Sequence, residues 1–545
     1  MTDYMWYRLL ILLMQGLAGA VHAAGPDRPH LLFVFADDWG RYASTYARLD
    51  PRPSINHVVR TPRIDEIARR GVTFRHAFVN SPSCTPCRSA LMTGRYFFRT
   101  GPGSILHAQA WDTSLPAWPL LLREAGYHLG ETGKVWGPGN PNDAPIGGGK
   151  YAFEKRGMAF NDFSEAATRS VKAGATVEEA KSRLLAQVRG NFDDFLAARP
   201  VDQPFCYVFG PTNVHRAWEK GSGPALWGIK PDELQGKLPP FLPDVPEIRA
   251  DVADGLGEVH ALDAMLGVLL DRLQETGDLD RTLIVLSGDH GMAGVPRGKC
   301  NLYDFGTQVP LIMAGPGVAA IGTGRIADDF TLLMDLAPTF LESAGVPLPP
   351  GMDGRSLLPV LRHPASGQAD PARTQVVTGR ERHVQDARAG NLPYPQRALR
   401  TRDFLYIRNY EPDRWPMGDP TGLTEAAAPP TRAMENVTHT TFADFDASPT
   451  KAWMVNHRND SSWLQAWQLG FAKRPAEELY DLSKDPDQMH NIAADPASAA
   501  VRREYAGRLK GILTAAGDPR LAEGSILFEQ PPFTSGRPRP QPKKP

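Results

Sequence analysis

The sequence Leu31-Leu-Phe-Val-Phe-Ala36, followed at once by Asp37-Asp38, sets the fold. A short, continuous apolar run of this kind is typical of a β-strand that is buried on both faces, as in a parallel sheet. A second such run, Thr282-Leu-Ile-Val-Leu286, ends in Ser-Gly and then Asp289-His290. In open α/β sheets the ligand site lies beyond the carboxyl ends of the strands, so we expect these acidic ends to meet there.

The acidic strand ends predict a cation site. Adjacent carboxylates repel each other unless a positive charge lies between them. A hard divalent cation such as Ca²⁺ or Mg²⁺ is the natural partner, because it prefers oxygen ligands. The alternative is that Asp37 and Asp38 only cap the turn after their strand, as a lone aspartate often does. Because two separate strands end in acidic residues, we favour a cation site over turn capping.

Helical patterns alternate with the strands. Thr61 as N-cap, Pro62 in the first turn and Gly71 after the last turn delimit one helix, and residues 251–276 carry apolar side chains at helical spacing. This alternation predicts an α/β fold with a mostly parallel sheet that is flanked by helices on both faces. A chain of 545 residues is long enough for two domains, or for one large domain with a satellite.

The composition of the sequence changes near residue 365, where a Pro/Ala-rich linker begins. Beyond it lie runs typical of antiparallel strands, at 374–378, 402–408 and 478–482. We therefore predict a main domain at 24–365, a smaller C-terminal α+β subdomain with an antiparallel sheet at 366–530, and a Pro-rich basic tail without fixed structure at 531–545.

Residues 1–23 have the pattern of an export signal. They contain one basic residue before an apolar core that begins at Leu9-Leu-Ile-Leu-Leu-Met14, and small residues around Val21-His-Ala23 for cleavage. The apolar core is too short for a stable membrane span, and no later run of about 20 apolar residues follows. We expect a periplasmic or secreted protein, with a membrane-anchored form as the alternative.

The overall charge excludes one class of partner. Formal net charge is −1, from 60 basic and 61 acidic residues, so the chain has no global basic field for nucleic acid. The 51 glycines and 50 prolines indicate many irregular loops, which suits a site that is built from loops.

The segment Cys84-Thr-Pro-Cys-Arg88, continuing as Ser-Ala-Leu-Met-Thr-Gly-Arg95, is the most informative for chemistry. Its C-x-x-C could be a redox pair or half of a zinc site. A zinc site needs two further ligands, yet Cys206 and Cys300 stand alone, and no compact βαβ unit favours a redox pair. The segment instead resembles the sulfatase signature C-x-P-x-R. We expect a helix after it, which places Cys84 near an anion-favouring helix N-terminus.

The resemblance to the sulfatase family implies both a modification and a metal. In that family the first cysteine of the signature is oxidised to formylglycine by a maturation enzyme. One hydroxyl of the hydrated aldehyde attacks sulfur, and deprotonation of the second expels the product. The resemblance places a divalent metal, usually calcium, on Asp37, Asp38, Asp289 and His290, with the modified Cys84 also reaching it.

The resemblance also assigns the cationic side chains. Arg88 would hold the formylglycine hydrate, and Lys134 and Lys299 would grip sulfate oxygens, although a lone lysine is more often a solvated surface residue. His215 would be the general acid that protonates the leaving nitrogen or oxygen. The alternative for His215 is a hydrogen-bonded loop histidine.

Two departures from the family pattern stand out. Trp136 occupies the region where sulfatases commonly place a histidine that helps the hydrate to collapse, so the base for that step is unassigned. His107 is a candidate, or else a loop histidine. Cys87 replaces the common serine without breaking the signature. With Cys84 modified, at most one disulfide can form among Cys87, Cys206 and Cys300.

Three further segments resemble the heparan N-sulfatase (sulfamidase) branch of the family, namely Gly298–Tyr303, Tyr394–Arg397 and His490–Pro496. Arg380, Arg382 and His383 lie where the C-terminal subdomain would reach the cleft, and we consider them candidates for binding acidic sugar groups. A solvated, arginine-rich loop is the alternative.

The sequence therefore predicts a hydrolase of N-sulfo or O-sulfo groups on sulfated saccharides such as heparan-type glycans. A phosphonate monoester or phosphodiester hydrolase of the same superfamily is the first alternative. A non-catalytic sulfoglycan-binding protein is the second, and the intact signature, lysines and metal positions argue against it. The oligomeric state is not predicted.

Overall fold

The computed structural model describes residues 28–106, 110–319, 324–522 and 527–529. The predicted export signal, His107 and the predicted Pro-rich tail lie outside the described residues. Within those ranges no helix combines the length and the apolar character needed to cross a membrane.

The strands of the described chain belong to three sheets. In chain order they are β1 His30–Ala36, β2 Val72–Phe74, β3 Ala77–Phe78, β4 His128–Gly133, β5 Phe205–Gly210, β6 Thr282–Gly288, β7 Leu311–Ala314, β8 Arg325–Ala327, β9 Thr331–Leu332, β10 Gln375–Arg380, β11 Gln396–Thr401, β12 Phe404–Asn409 and β13 Glu477–Asp481. The main sheet has the order β4-β5-β1-β6-β7-β2-β8, and β3 pairs with β9 in a small separate sheet.

The main sheet is mostly parallel, as predicted. Strands β4, β5, β1 and β6 run parallel to one another, and β2 is parallel to β8, while β7 is antiparallel to both β6 and β2. The central strand β1 is buried on both faces: Leu32 and Val34 belong to one apolar cluster, and Leu31, Phe33 and Phe35 to another. This explains why its sequence is continuously apolar rather than alternating.

Helices cover both faces of the main sheet. In chain order the α-helices are α1 Pro62–Arg70, α2 Cys84–Thr93, α3 Trp118–Glu124, α4 Phe163–Lys172, α5 Val177–Ala198, α6 Ser222–Trp227, α7 Pro246–Thr276, α8 Asp304–Thr307, α9 Leu336–Ser343, α10 Leu358–Arg362, α11 Thr431–Asn436, α12 Pro449–Asn456, α13 Leu464–Phe471 and α14 Ala499–Ala515. Helices α1, α5 and α7 contribute to the apolar cluster on one face, and α2, α3 and α9 to that on the other.

The C-terminal part contains the expected antiparallel sheet, in the order β10-β11-β12-β13. Its apolar side chains share a cluster with the main part, where Val377, Leu399 and Tyr406 join Phe78 of β3 and Ala90 of α2. The two parts therefore pack directly against each other. The division at residue 365 stays a prediction.

Candidate active site

The carboxyl ends of four neighbouring parallel strands form the floor of the site. Asp37 follows β1 directly, Asp289 follows β6, and Lys134 follows β4. Backbone hydrogen bonds continue past the strand ends, from Asp37 N to Pro211 O at 3.2 Å and from Asp289 N to Ala36 O at 3.2 Å. The residues that follow these strands are therefore held side by side, as the rule for open α/β sheets predicts.

Glycine allows the ends of β4 and β5 to approach closely. Gly133 has a φ of +89°, and a Cβ at this position would lie 2.2 Å from the carbonyl oxygen of Gly210. The amide N of Lys134 donates to that same oxygen at 2.6 Å. A larger residue at 133 would push Lys134 away from the floor of the site.

Cys84 is the first residue of α2 and is only 2% exposed. Its Sγ lies 3.3 Å from Nε2 of His290, which follows β6. Burial raises the pKa of the Cys84 thiol, and Lys134 and Lys299 offset this only in part, so the unmodified side chain is a neutral thiol at neutral pH. All four cysteines are free thiols.

Arg88 lies one turn further along α2, is fully buried, and joins the two acidic strand ends. Its Nη2 donates to Asp37 Oδ1 at 3.0 Å, its Nε donates to Asp289 Oδ2 at 2.9 Å, and its Nη1 donates to the backbone O of Lys134 at 2.5 Å. Burial acts to raise the pKa of Asp37, but Lys134 and Arg88 hold it well below its usual range. Burial raises the pKa of Asp289, against the effects of His290 and Arg88.

The predicted metal ligands converge. Asp38, Cys84 and His290 form one set whose ligand atoms lie within 4.8 Å of one another, and Asp37, Cys84 and Asp289 form a second. Asp38 Oδ1 is buried and accepts no hydrogen bond from the described residues, although Lys299 Nζ lies 3.2 Å away and His290 Nε2 lies 3.3 Å away. A buried carboxylate oxygen that accepts no hydrogen bond, beside other carboxylate oxygens and an imidazole, fits a hard divalent cation.

Two lysines border the acidic cluster. Lys134 Nζ donates to Asp37 Oδ2 at 2.6 Å, and Lys299 Nζ donates to Asp38 Oδ2 at 3.2 Å. Burial acts to lower the pKa of Lys299, but Asp38 and Asp446 hold it well above its usual value, so the side chain is a fixed cation. Fixed cations suit the binding of a tetrahedral anion, because they need no reorganisation as charge develops.

His215 lies on the loop after β5, with its side chain 33% exposed. Its Nε2 is 3.3 Å from Lys299 Nζ, and its Nδ1 contacts the backbone O of Arg216. Helix α7 anchors this loop, because Arg216 forms a two-bond ion pair with Asp251 at 2.8 and 2.7 Å. His215 is therefore held at the edge of the site by a buried anchor.

Part of the site lines one cavity with a volume of about 670 Å³, and the buried side chains of Asp38, Arg88, Asp289 and His290 are not among its lining residues. Of the predicted site residues, the walls include Asp37, Cys84, Lys134, His215, Lys299 and His383. Trp136 also lines the cavity, and its Nε1 donates to Ser89 Oγ at 2.9 Å.

The three residues predicted to bind the sugar lie in different surroundings. His383 lines the cavity, and its Nδ1 lies 2.8 Å from Ser83 Oγ. Arg380 is buried in an ion pair with Asp444 and donates to the backbone O of Cys300 at 2.6 Å, while Arg382 donates to the backbone O of Leu106 at 2.9 Å. Neither arginine is part of the cavity wall. Their role in sugar binding stays a prediction, and the alternative is that they hold the surrounding backbone in place.

Sequence reasoning missed several residues of the cavity wall, which are Asn161, Asp162, Thr212, Arg216, Thr438, His439 and Asp446. Thr438, His439 and Asp446 come from the C-terminal part, from a segment without strand or metal-ligand pattern. Arg216 stood beside the predicted His215 and could have been flagged by that proximity alone.

The fold and the cavity together define an α/β protein with a buried acidic cluster and fixed cations at the carboxyl ends of the central parallel strands. The chain belongs to the sulfatase family: the family model, described as sulfatase, matches residues 29–346. A second model, described as the C-terminal part of N-sulphoglucosamine sulphohydrolase, matches residues 288–420. These matches confirm the family predicted from the signature.

Named relatives cover most of the chain. Human N-sulphoglucosamine sulphohydrolase is 27% identical over 516 residues, which cover 90% of this chain and 89% of that protein. An N-acetylglucosamine-6-O-sulfatase of Bacteroides thetaiotaomicron is 24% identical over 476 residues, covering 72% of this chain and 80% of the relative.

Solved structures show the same fold. One, a protein in complex with its substrate D-glucosamine-2-N,6-O-disulfate, has a TM-score of 0.56 and 17% identity, covering 90% of this chain and 98% of that one. A phosphonate monoester hydrolase of Agrobacterium radiobacter has a TM-score of 0.57 and 20% identity, covering 90% and 96%. At these identities the likeness supports the fold alone.

Proposed function

We propose that the protein hydrolyses N-sulfo or O-sulfo groups on sulfated, glucosamine-type saccharides, with Cys84 converted to formylglycine. The observation that carries the proposal is the position of Cys84. It lies at the helix N-terminus on the floor of the cavity, with its Sγ 3.3 Å from His290 and with Lys134 and Lys299 on the same cavity wall.

The state of Cys84 supports conversion rather than direct thiol chemistry. A thiol whose pKa is raised by burial is a poor nucleophile, since the thiolate is the reactive form. After conversion by a formylglycine-generating maturation enzyme, the hydrate at this position presents two hydroxyls. One loses its proton to solvent and forms a bond to sulfur as the bond from sulfur to the leaving oxygen or nitrogen breaks, and the leaving atom takes up a proton. The second hydroxyl then loses its proton, and the bond from the hydrate carbon to the sulfated oxygen breaks, which releases sulfate and restores the aldehyde.

The surrounding residues have distinct roles in this scheme. Lys134 and Lys299 bind the sulfo oxygens, and Arg88 orients the hydrate while it holds Asp37 and Asp289 in place. His215 donates a proton to the leaving atom from the rim of the cavity. The carboxylates of Asp37, Asp38 and Asp289, with His290, would hold a divalent metal, which we propose to be Ca²⁺ and which would supply Lewis-acid polarisation of the sulfo group.

Two lines support a saccharide substrate. Two of the relatives that cover most of the chain have names that refer to N-sulfated glucosamine and to 6-O-sulfated N-acetylglucosamine. The cavity also has a polar wall with room for a sugar ring. The names and the cavity are compatible with N-sulfo and with O-sulfo groups, so the proposal includes both linkages. We further propose that residues 1–23 direct export and that the protein acts in the periplasm or outside the cell.

The test is sulfate release from N-sulfoglucosamine, from glucosamine 6-sulfate and from a phosphodiester control, with protein whose Cys84 conversion is quantified by peptide mass spectrometry. Release from the N-sulfo sugar establishes a sulfamidase, and release only from the O-sulfo sugar establishes an ester sulfatase. Hydrolysis of the phosphodiester alone would reassign the chain to phosphoryl transfer. No release with Cys84 fully converted would overturn the proposal.

A further inference from the structure

Asp446 is an acidic side chain on the wall of the active-site cavity that neither the metal cluster nor the chemistry above employs. It follows Phe442-Ala-Asp-Phe in the C-terminal part, between α11 and α12. Its Oδ2 lies 3.5 Å from Nζ of Lys299, one of the two lysines assigned to the sulfo group. A residue of the C-terminal part therefore lies beside a lysine that we assign to the sulfo group.

The hydrogen-bonding capacity of Asp446 is not used up by the protein. Oδ2 is buried and accepts no hydrogen bond from any residue in the described ranges, and Lys299 already has Asp38 at 3.2 Å as a counter-ion. Burial acts to raise the pKa of Asp446, but Lys299 and His215 hold it below its usual range, so the side chain is a carboxylate at neutral pH. A buried carboxylate oxygen that accepts no hydrogen bond is unfavourable, and a ligand that brings a donor would satisfy it.

The segment that carries Asp446 is fixed in place. Lys451 of α12 is buried, and its Nζ donates to the backbone oxygens of Thr438 at 3.0 Å and Phe445 at 2.7 Å. Two residues before Asp446, the carboxylate of Asp444 is bound by Arg388 at 2.7 Å and by Arg380. The backbone around Asp446 is thus held from both sides, and its unused acceptor is pre-organised.

A carboxylate at this place selects a particular part of the substrate. It repels sulfate oxygens, which the neighbouring lysines attract, so it faces the part of the substrate that carries no sulfo group. The neutral donors that the ring of a sulfated saccharide offers there are its hydroxyls. A hydroxyl that donates to a carboxylate forms a charge-assisted hydrogen bond, which is roughly twice as strong as a neutral one.

We propose that Asp446 is the residue that recognises the sugar, by accepting hydrogen bonds from hydroxyls of the ring that carries the sulfo group. The inference rests on the proposed function for the identity of the ligand. It assigns the discrimination between a sulfated sugar and a sulfated non-sugar to the C-terminal part of the chain.

The test measures binding, independently of turnover. Calorimetry on the Cys84→Ala protein gives the Kd of N-sulfoglucosamine and of glucosamine 6-sulfate, and of an analogue of each in which cyclohexane replaces the sugar ring. Asp446→Asn keeps the size of the side chain and removes its charge. We expect it to weaken binding of the sugar at least tenfold and binding of the matching cyclohexyl analogue less than threefold. Glu425→Gln, at an exposed position, is the matched control and should change neither.

Two results would overturn the inference. If Asp446→Asn weakens the sugar and its analogue in parallel, or changes neither, Asp446 only balances the charge of Lys299. If neither sugar binds to the Cys84→Ala protein, there is no sugar for Asp446 to recognise. A sugar-selective loss of binding, combined with an absence of sulfate release by the fully converted enzyme, would instead overturn the proposed hydrolysis and leave the role of Asp446 standing.

Discussion

The Sγ of Cys84 and the Nε2 of His290 lie 3.3 Å apart, although 206 positions separate the two residues along the chain. The contact joins the N-terminus of α2 to the end of β6. It places the predicted nucleophile within reach of the predicted metal ligands, which is the arrangement that a metal-assisted attack on a sulfo group requires.

The first prediction concerns Cys84. Cys84→Ala should reduce sulfate release by at least about a thousandfold, because it removes the nucleophile, while the thermal unfolding midpoint stays close to that of the parent protein. Cys87→Ser, three positions along the same helix, leaves C-x-P-x-R intact and is the matched control. Turnover by Cys84→Ala at a rate near that of the parent would refute the assignment of the nucleophile.

The second prediction concerns the metal. Asp289→Asn should lower metal content and turnover together, because it removes a carboxylate charge from the cluster and one of the two anions that bind Arg88. Metal content by elemental analysis and the rate at increasing Ca²⁺ are the measurements. Asp280→Asn, whose side chain is 89% exposed, should change neither. Full metal content with an unchanged rate would exclude Asp289 as a ligand.

The third prediction separates the general acid from the sulfate-binding groups. His215→Ala should reduce the rate about 10²- to 10⁴-fold for a sugar, whose leaving atom needs a proton. It should have a much smaller effect for 4-nitrophenyl sulfate, whose leaving group is stable as an anion. His439→Ala, another histidine of the cavity wall, is the control. Equal losses for the two substrates would show that His215 binds sulfate rather than donating a proton.

The fourth prediction concerns pH and stability. Glu258 of α7 is buried and binds Asn213 of the His215 loop, and burial raises the pKa of Glu258 from 4.5 to about 7. The folded protein therefore binds this proton more tightly than the unfolded chain does. Its contribution to the free energy of unfolding is present below about pH 4.5, falls as pH rises to about 7, and is lost above that value, by about 3 kcal/mol at most.

Glu258→Gln cannot titrate, so its free energy of unfolding should fall less steeply between pH 5 and 7 in denaturant titrations. Glu425→Gln, at an exposed position, should keep the slope of the parent protein. Identical slopes for the parent and for Glu258→Gln would show that Glu258 has an ordinary pKa in the folded state.

Local pattern predicted the central elements of the fold. Strands β1 and β6 could be predicted from the sequence because a strand that is buried on both faces needs an unbroken apolar run. Strand β11 was missed because Arg397 and Arg400 interrupt its pattern. In the structure Arg397 is buried in ion pairs with Asp518 and Glu381, and Arg400 pairs with Asp304. Tertiary partners that lie far away in the chain made a charged sequence compatible with a buried strand.

The site was predicted where chemistry and strand ends coincide, at Asp37, Asp289 and Cys84. The wall that contains Asp446 was not predicted. Packing brings Asp446 to Lys299, which lies 147 positions earlier in the chain, and no local sequence pattern encodes such a contact. Arg380, which the sequence analysis predicted to lie near the cleft, is buried in an ion pair with Asp444.

The apolar cluster that joins helix α2 to the C-terminal sheet bears on the cooperativity of unfolding. Ala90 of α2, the helix that begins at Cys84, packs in the same cluster as Val377 and Leu399 of the C-terminal sheet. A chain cut at residue 365 would leave that side of α2 facing water and would loosen the helix that begins at Cys84. The enzyme should therefore melt in a single transition, and we expect the C-terminal sheet to support the predicted nucleophile rather than to fold as a separable domain.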